Sequence, residues 1–302
     1  MQHVLKLFLF LTLLSVFSAS AQYPDKLIKL IVPYAPGGSS DIVGRQIAQF
    51  LSKALGQTVV VDNIGGGGGS IGVQRAAAAP ADGYTLLLGA NSELLINKLL
   101  RPELLYDALT DLTPLASIGT GSIVIVGKPG LQAKDLSAVF ALATKNGGVN
   151  YGSSGLGTIQ HLAGEMIRLK AGVPLNHIPY RGAGPLVADV AGGQVDLGIT
   201  TLASVKQMIE AGQVKGYAVT ADKISEFAPA IAPLSDTPRM SNLHLETWYG
   251  VFAPAKLPSA IAITLQNKLQ TIIENPELAK SLAGQAISIS RKPAKELPDF
   301  LA

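Results

Sequence analysis

From residue 27 onward the chain alternates short apolar runs with longer stretches in which apolar residues recur every three or four positions. The runs at 27–32, 58–61 and 84–88 have the length and composition of strands. Between the first two, Val43, Ile47, Phe50, Leu51 and Ala54 share one face of a helix that Gly56 ends. A small helix through 74–79 precedes the third. This βαβαβ order predicts a mostly parallel sheet with helices on both faces. A second unit of the same plan begins near 123–127. It adds a helix over 136–144, a strand over 149–151, and a helix striped by Ile159, Leu162, Ala163, Met166 and Ile167. Strands at 175–178, 196–199 and 216–220 follow. Pro185 is placed as the first residue of one intervening helix, and Ser204 with Gln207 as the capping box of the next. Residues 228–247, rich in Pro, Ser and Asp, read as a surface crossover. A strand over 248–254 and a long helix through Ile261, Leu265, Leu269, Ile272 and Ile273 complete the pattern, until Asn275-Pro276 breaks it. This tail is too short to form a domain and is expected to return to the first unit. The result is an α/β chain of two lobes joined by two crossings: 22–124 with 250–302, and 125–249.

Residues 1–21 do not fit the alternation. Lys6 precedes an apolar run from 7 to 17, and Ala19-Ser20-Ala21 has the small-x-small form of a secretory cleavage site. The run is short of the ~20 residues that span a bilayer, so a cleaved leader is expected, with the mature protein starting at Gln22. Export to a bacterial periplasm suits a chain with no cysteine. That lack also excludes a disulfide framework, a cysteine nucleophile, zinc ribbons and cysteine-held iron–sulfur clusters. A formal charge of +3, with 15% charged residues and no basic cluster, excludes a nucleic-acid footprint.

Two loops carry the candidate chemistry. Pro36-Gly37-Gly38-Ser39-Ser40-Asp41 and Ser153-Ser154-Gly155-Leu156-Gly157-Thr158 each join a strand to a helix. Glycines admit close backbone approach. Free amide groups at a helix start carry about half a positive charge, and hydroxyls add donors, so such a loop holds a carboxylate or phosphate without arginine. The same loops also read as ordinary capped turns. His161, one turn into the second helix, is a candidate donor to an anion or a helix-surface residue. Gly67, Gly69 and Gly72 form a G-x-G-x-x-G after a strand, but five glycines in a row (65–69) fit many patterns, and the acidic partner of a dinucleotide would have to be Glu93. His177 and His244 have no partner at metal-ligand spacing, so no metal is expected, and export argues against a nucleotide cofactor, so none is expected. Ser153 or Ser154 with His161 could imitate a hydrolase, although the spacing is not that of a nucleophile elbow. Trp248 reads as a packing residue near the hinge.

Taken together, these stretches resemble the periplasmic solute receptors of tripartite tricarboxylate transporters, the Bug or TctC-like proteins. The matching residues are Tyr23-Pro24, the strand ending at Pro33, Pro36-Gly37-Gly38 with Asp41 and Arg45, Val61-Asp62-Asn63 with the glycine run and Gly72, and Ala81-Asp82-Gly83-Tyr84-Thr85-Leu86. Further on they are residues 151–158 with His161, Pro179-Tyr180-Arg181-Gly182, Gly193-Gln194-Val195-Asp196, and Trp248-Tyr249-Gly250 with Ala253-Pro254. The resemblance implies a type II periplasmic-binding-protein fold whose lobes close on a small carboxylate, and a monomer that hands its ligand to membrane permease subunits. It also implies that the two loops pinch one carboxylate, partly through water, using Gly37, Gly38, Ser39, Ser40 and Asp41 on one side. Ser153, Ser154, Gly157, Thr158 and His161 act on the other. Tyr34, Asn91, Ser92, Thr200 and Thr201, chosen as strand ends near the cleft, are expected to meet the far end of the ligand. Such receptors usually carry a further C-terminal helix beyond the point where this chain stops, and the glycine run is longer than usual, which predicts a more mobile loop. With few ionised residues beside either loop, the expected site is a neutral dipolar cage in a non-enzymatic receptor. A secreted serine hydrolase and a ligand-sensing module for a membrane kinase are the rival readings.

Overall fold

The structure, a computed structural model, describes residues 23–221 and 223–290. The expected leader lies outside them. Strand β1 (Ile28–Val32) pairs in parallel with β2 (Val59–Asn63) and β3 (Thr85–Ala90). Strand β4 (Leu112–Gly127) is 16 residues long and serves two sheets. Its residues 112–122 pair with β9 (Glu246–Pro254), which in turn pairs with β3. Its residues 123–127 pair with β7 (Leu197–Thr201) and, in part, β8 (Lys215–Val219). Strands β5 (Val149–Ser153) and β6 (Leu175–Pro179) complete the second sheet in parallel with β7. The sheets are therefore parallel only in their outer halves. The chain leaves the first lobe along β4 and re-enters along β9, and these two strands run antiparallel to each other and to their neighbours β3 and β7.

The apolar runs are continuous because both faces of each sheet are covered. Side chains alternate along a strand. Leu30, Leu86 and Leu88 therefore pack with Val43, Ile47 and Leu51 of α1 (Ser39–Leu55), whereas Ile31 and Leu87 pack on the other face with Val73, Leu94, Trp248 and Phe252. Trp248 is the packing residue expected. In the second lobe Ile123 and Ile125 face Tyr151, Ala163 and Ile167, while Val124 and Val126 face Leu186, Val187 and Val205.

Several local expectations are corrected. Helix α2 (Ser70–Ala77) starts earlier than the periodicity predicted, directly on the glycine run. Pro185 is the third residue of α7 (Ala183–Ala191), not the first. Ser204 lies inside α8 (Leu202–Glu210), whose N-cap is Thr201. The 228–247 crossover is not a surface strap, because Ile231, Leu234, Met240 and Leu243 are buried in the second-lobe cores. After α9 (Ser259–Ile273), a further helix α10 (Pro276–Gly284) and strand β10 (Ile287–Ile289) return to the first lobe, where β10 pairs with β4. The glycine run is fastened rather than loose: Gly68 accepts hydrogen bonds from Tyr34 and Asn97, and Gly67 from Ser70 and Arg101.

Gly72 lets α2 lie against the end of β1. A Cβ there would sit 2.7 Å from both the Pro33 Cα and the Ile64 carbonyl oxygen, which are main-chain atoms with little freedom to yield. Gly72→Ala should lower stability by about 1–3 kcal/mol, a fall in Tm of several degrees by thermal denaturation. An unchanged Tm would mean that α2 can shift outward at no cost.

Candidate functional site

Helix α1 and helix α6 (Ile159–Ala171) start at one narrow cleft between the lobes. The cleft measures about 330 Å³ to its open mouth, of which only about 20 Å³ admits the centre of a water molecule. Tyr34, Gly38, Ser39, Ser40, Ala90, Ser92 and Thr247 line it from the first lobe, and Ser154, Gln160 and Ala183 from the second. None of these side chains carries a formal charge at neutral pH. Among the side chains, hydroxyls and one carboxamide provide the polarity, beside main-chain groups.

The first-turn amides are partly claimed across the cleft. The Ser39 N–H donates to the Ser204 hydroxyl of the opposite lobe at 2.9 Å, and the Ile159 N–H donates to the Ser92 hydroxyl at 3.0 Å. Each helix is thus capped by a serine from the other lobe. Ser204 also bonds the Thr201 hydroxyl, so its role is between lobes rather than the capping box expected of it. A third bond, from the Ala35 N–H to the Arg181 carbonyl, joins the loops beside the cleft. Gly68 packs so close to the Leu156 carbonyl, and Gly184 to that of Pro36, that neither position has room for a side chain. Within the first turns, the amides of Ser40 and Gln160, on residues that line the cavity, have no bonded acceptor among the described residues.

Of the fifteen residues singled out in the sequence, Tyr34, Gly38, Ser39, Ser40, Ser92 and Ser154 line the cavity. The others stand behind it. Asp41 turns away and fastens its loop, accepting from the Gly37 N–H, the Arg45 guanidinium and the Asn63 carboxamide. Burial pushes its carboxyl up, but these hydrogen bonds outweigh burial and leave it below the usual carboxylate range. Thr158 is fully buried; it caps α6 by accepting from the His161 N–H and donates to the Gly155 carbonyl. The Gly157 N–H donates to His161 Nδ1, so His161 spends that nitrogen on the loop. Asn91 ties β3 to β9 through the Thr247 hydroxyl and the Glu246 carbonyl. Thr200 is buried within β7, its hydroxyl without a partner among the described residues, and Thr201 bonds Ser204. Gln160, Ala183, Thr247 and Ala90 were missed. Gln160, second in α6, could have been found from the helix start. Thr247 arrives on β9 from a distant part of the chain and leaves no local signal.

Two rival chemistries fail on geometry. Ser153 does meet a histidine, with Oγ 2.7 Å from His177 Nε2, but its hydroxyl is wholly buried and also bonds Gly155. His177 stacks on His161 with ring centres 4.1 Å apart. Burial, and then His161, pushes its imidazole down to about 4. The pair therefore props up the loop from beneath. Glu93 cannot serve a dinucleotide ribose, because its carboxylate is buried against Tyr34 and the Ala90 amide.

Residues 43–302 match the TctC family, described as the tripartite tricarboxylate transporter family receptor. The chain belongs to this family. BugT of Bordetella pertussis is 34% identical over 265 residues, covering 87% of this chain and 81% of BugT. A solved periplasmic transporter protein superposes with a TM-score of 0.88 at 35% identity, covering 92% of this chain and 93% of the other. A Rhodopseudomonas palustris protein solved with adipate, Rpa4515, gives 0.87 at 27% identity over 92% and 93%. As a TctC-type protein the chain is a solute receptor and not an enzyme, with the two-lobe binding-protein fold its sequence predicted.

Two outcomes are expected of this TctC-type cleft. The folded state holds His177 neutral well below its ordinary value of 6.5. Between those limits the unfolded chain binds a proton that the folded one does not. Stability from this residue is therefore full above about pH 6.5 and is lost as pH falls toward 4. A Tm series across that window should fall less steeply for His177→Gln than for the parent, and parallel curves would remove His177 from the argument. Ser204→Ala should loosen the lobes and raise the radius of gyration measured by small-angle scattering; an unchanged radius would show that the cross-lobe cap does not hold them together.

Proposed function

We propose that the protein is a periplasmic receptor that captures a small carboxylate, with dicarboxylates as the leading class, and delivers it to the membrane permease of a tripartite tricarboxylate transporter. The observation that carries this reading is the meeting of two helix starts at one uncharged, hydroxyl-lined cleft. An anion there is held by fixed dipoles and donors that need no counter-ion. The related R. palustris protein bound to adipate, a dicarboxylate, supports the ligand class. In this reading Ser39, Ser40, Ser154 and Gln160 with the free first-turn amides grip one carboxylate. Tyr34, Ser92 and Thr247 meet the rest of the ligand. Gly37, Asp41, Ser153, Gly157, Thr158 and His161 hold the two loops in place, while Asn91, Thr200 and Thr201 brace the strands behind them.

The cleft as it stands has room for little more than a water molecule. Entry therefore requires the lobes, 22–124 with 250–302 against 125–249, to separate by bending where β4 and β9 cross between them. A ligand carboxylate then competes with Ser92 and Ser204 for the first-turn amides or bridges to them through water. A closed pair of lobes is the form the permease would recognise.

Calorimetric titration against a panel of dicarboxylates, tricarboxylates, amino acids, aromatic acids, sugars and neutral amides tests the reading. Saturable binding confined to acids is expected. Ser154→Ala should weaken it about tenfold or more, as loss of a hydrogen bond to a charged acceptor costs ~1.5–3 kcal/mol. No binding by any acid, or equal binding by neutral amides, would overturn it.

A further inference from the structure

One buried acid next to the cleft has no part in the reading above. Glu93 follows Ser92 in a π-helical turn, Ser92–Ile96, and is wholly buried. One carboxylate oxygen accepts from the Tyr34 hydroxyl at 2.7 Å, and the other accepts from the Ala90 N–H at 2.6 Å. Tyr34, Ala90 and Ser92 all line the cleft, so the carboxyl group lies one residue layer behind the ligand space.

We propose that Glu93 makes capture of a carboxylate in this cleft take up a proton, so that the receptor binds the anion and a proton together. The inference rests on the carboxylate-receptor reading and deepens it. Among the described residues, the groups packed around Glu93 offer hydrogen bonds but no positive charge. Tyr34 reaches it from the end of β1. The Tyr106 hydroxyl donates to the Glu93 carbonyl at 2.5 Å. Tyr249, on β9, is buried with its hydroxyl toward Ser39 and Thr247. Asn97, one turn further on, bonds Gly68 instead. The Arg101 guanidinium is bonded to the Gly67 carbonyl and acts on Tyr106 rather than on the carboxylate.

Burial raises the Glu93 carboxyl to about 7, even though the Tyr34 and Ala90 hydrogen bonds favour its ionised form. An anionic ligand entering the uncharged cleft puts a second negative charge beside it, with no cation between them and little water to screen it. Two carboxylates sharing such a site do not both stay ionised, and the more buried one takes the proton. A neutral Glu93 can also donate to the Tyr34 oxygen. That frees the phenol proton for the Gly68 carbonyl or for the Ser92 hydroxyl that faces it. The Tyr34 hydroxyl, which lines the cleft, is then no longer committed as a donor to Glu93.

The test is calorimetry with adipate, or with whichever panel carboxylate binds most tightly, between pH 6 and 8.5. Each pH is run in buffers of different ionisation enthalpy, which counts the protons exchanged on binding. Wild type should take up most of one proton per ligand between about pH 7.5 and 8, and its Kd should rise with pH by up to about tenfold per unit above neutrality. Glu93→Gln, which keeps the shape of the neutral acid, should exchange no proton, flatten the pH profile and bind more tightly than wild type at pH 8.5. Carboxylate binding without proton uptake in wild type overturns the proposal and leaves the receptor reading intact, and this measurement needs no variant to fold. Uptake that persists in Glu93→Gln overturns it as well. Failure of every carboxylate to bind overturns both.

Discussion

Two helices from separate lobes begin at the same gap, and the amide groups of their first turns need acceptors there. Much of the structure around the cleft follows from this requirement. Serines reach across from each lobe to the opposite helix, Ser204 to the start of α1 and Ser92 to the start of α6. The remaining amides face a cavity without charge. A site of this kind attracts an anion through oriented dipoles, and the strength of that attraction depends on how dry and how closed the cleft is. In the proposed reading, binding and lobe closure are one process, since the groups that join the lobes are those a ligand would share.

The loops that present the amides are held from behind. On the first side Asp41 gathers Gly37, Arg45 and Asn63. On the second, Thr158, Ser153 and the His161–His177 stack gather Gly155 and Gly157. Asp41, Ser153 and Thr158 are as conspicuous in the two motifs as the serines beside them, yet they do not line the cavity. A loop rich in glycine gains close approach and loses rigidity, and a buried polar side chain restores the rigidity through bonds to the main chain. The residues that line the cavity are uncharged: serines, alanines, a glycine, a tyrosine, a glutamine and a threonine.

Much of this was legible along the chain because it is encoded locally. Period-two and period-3.6 patterns placed the strands β1–β3 and β5–β9 and the longer helices, though not α10 or β10, and the strand–glycine–helix order located both loops. The β4–β9 pair was less legible. Leu112–Ser122 is broken by Thr113, Pro114 and Ser117, so its first half does not read as a strand, and its partner lies more than a hundred residues away. Glu93 illustrates the same limit. In sequence it is an acid after a strand. Burial behind Tyr34 is what turns it into a group that titrates near neutrality.

What the sequence determined by itself was the alternation of elements, the two helix starts with their glycine loops, and a family resemblance spread across the mature chain. Each depends on residues close together in the chain, where periodicity and backbone freedom act directly. Only the tertiary structure decided which residues of those loops face the cleft and which brace it, that Ser204 and Ser92 cap helices of the opposite lobe, and that Thr247 and Gln160 share one wall system with Ser40. Those assignments depend on the angle between the lobes and on which side chains packing drives inward. Both are set by contacts summed over the whole molecule, and no short stretch of residues contains them.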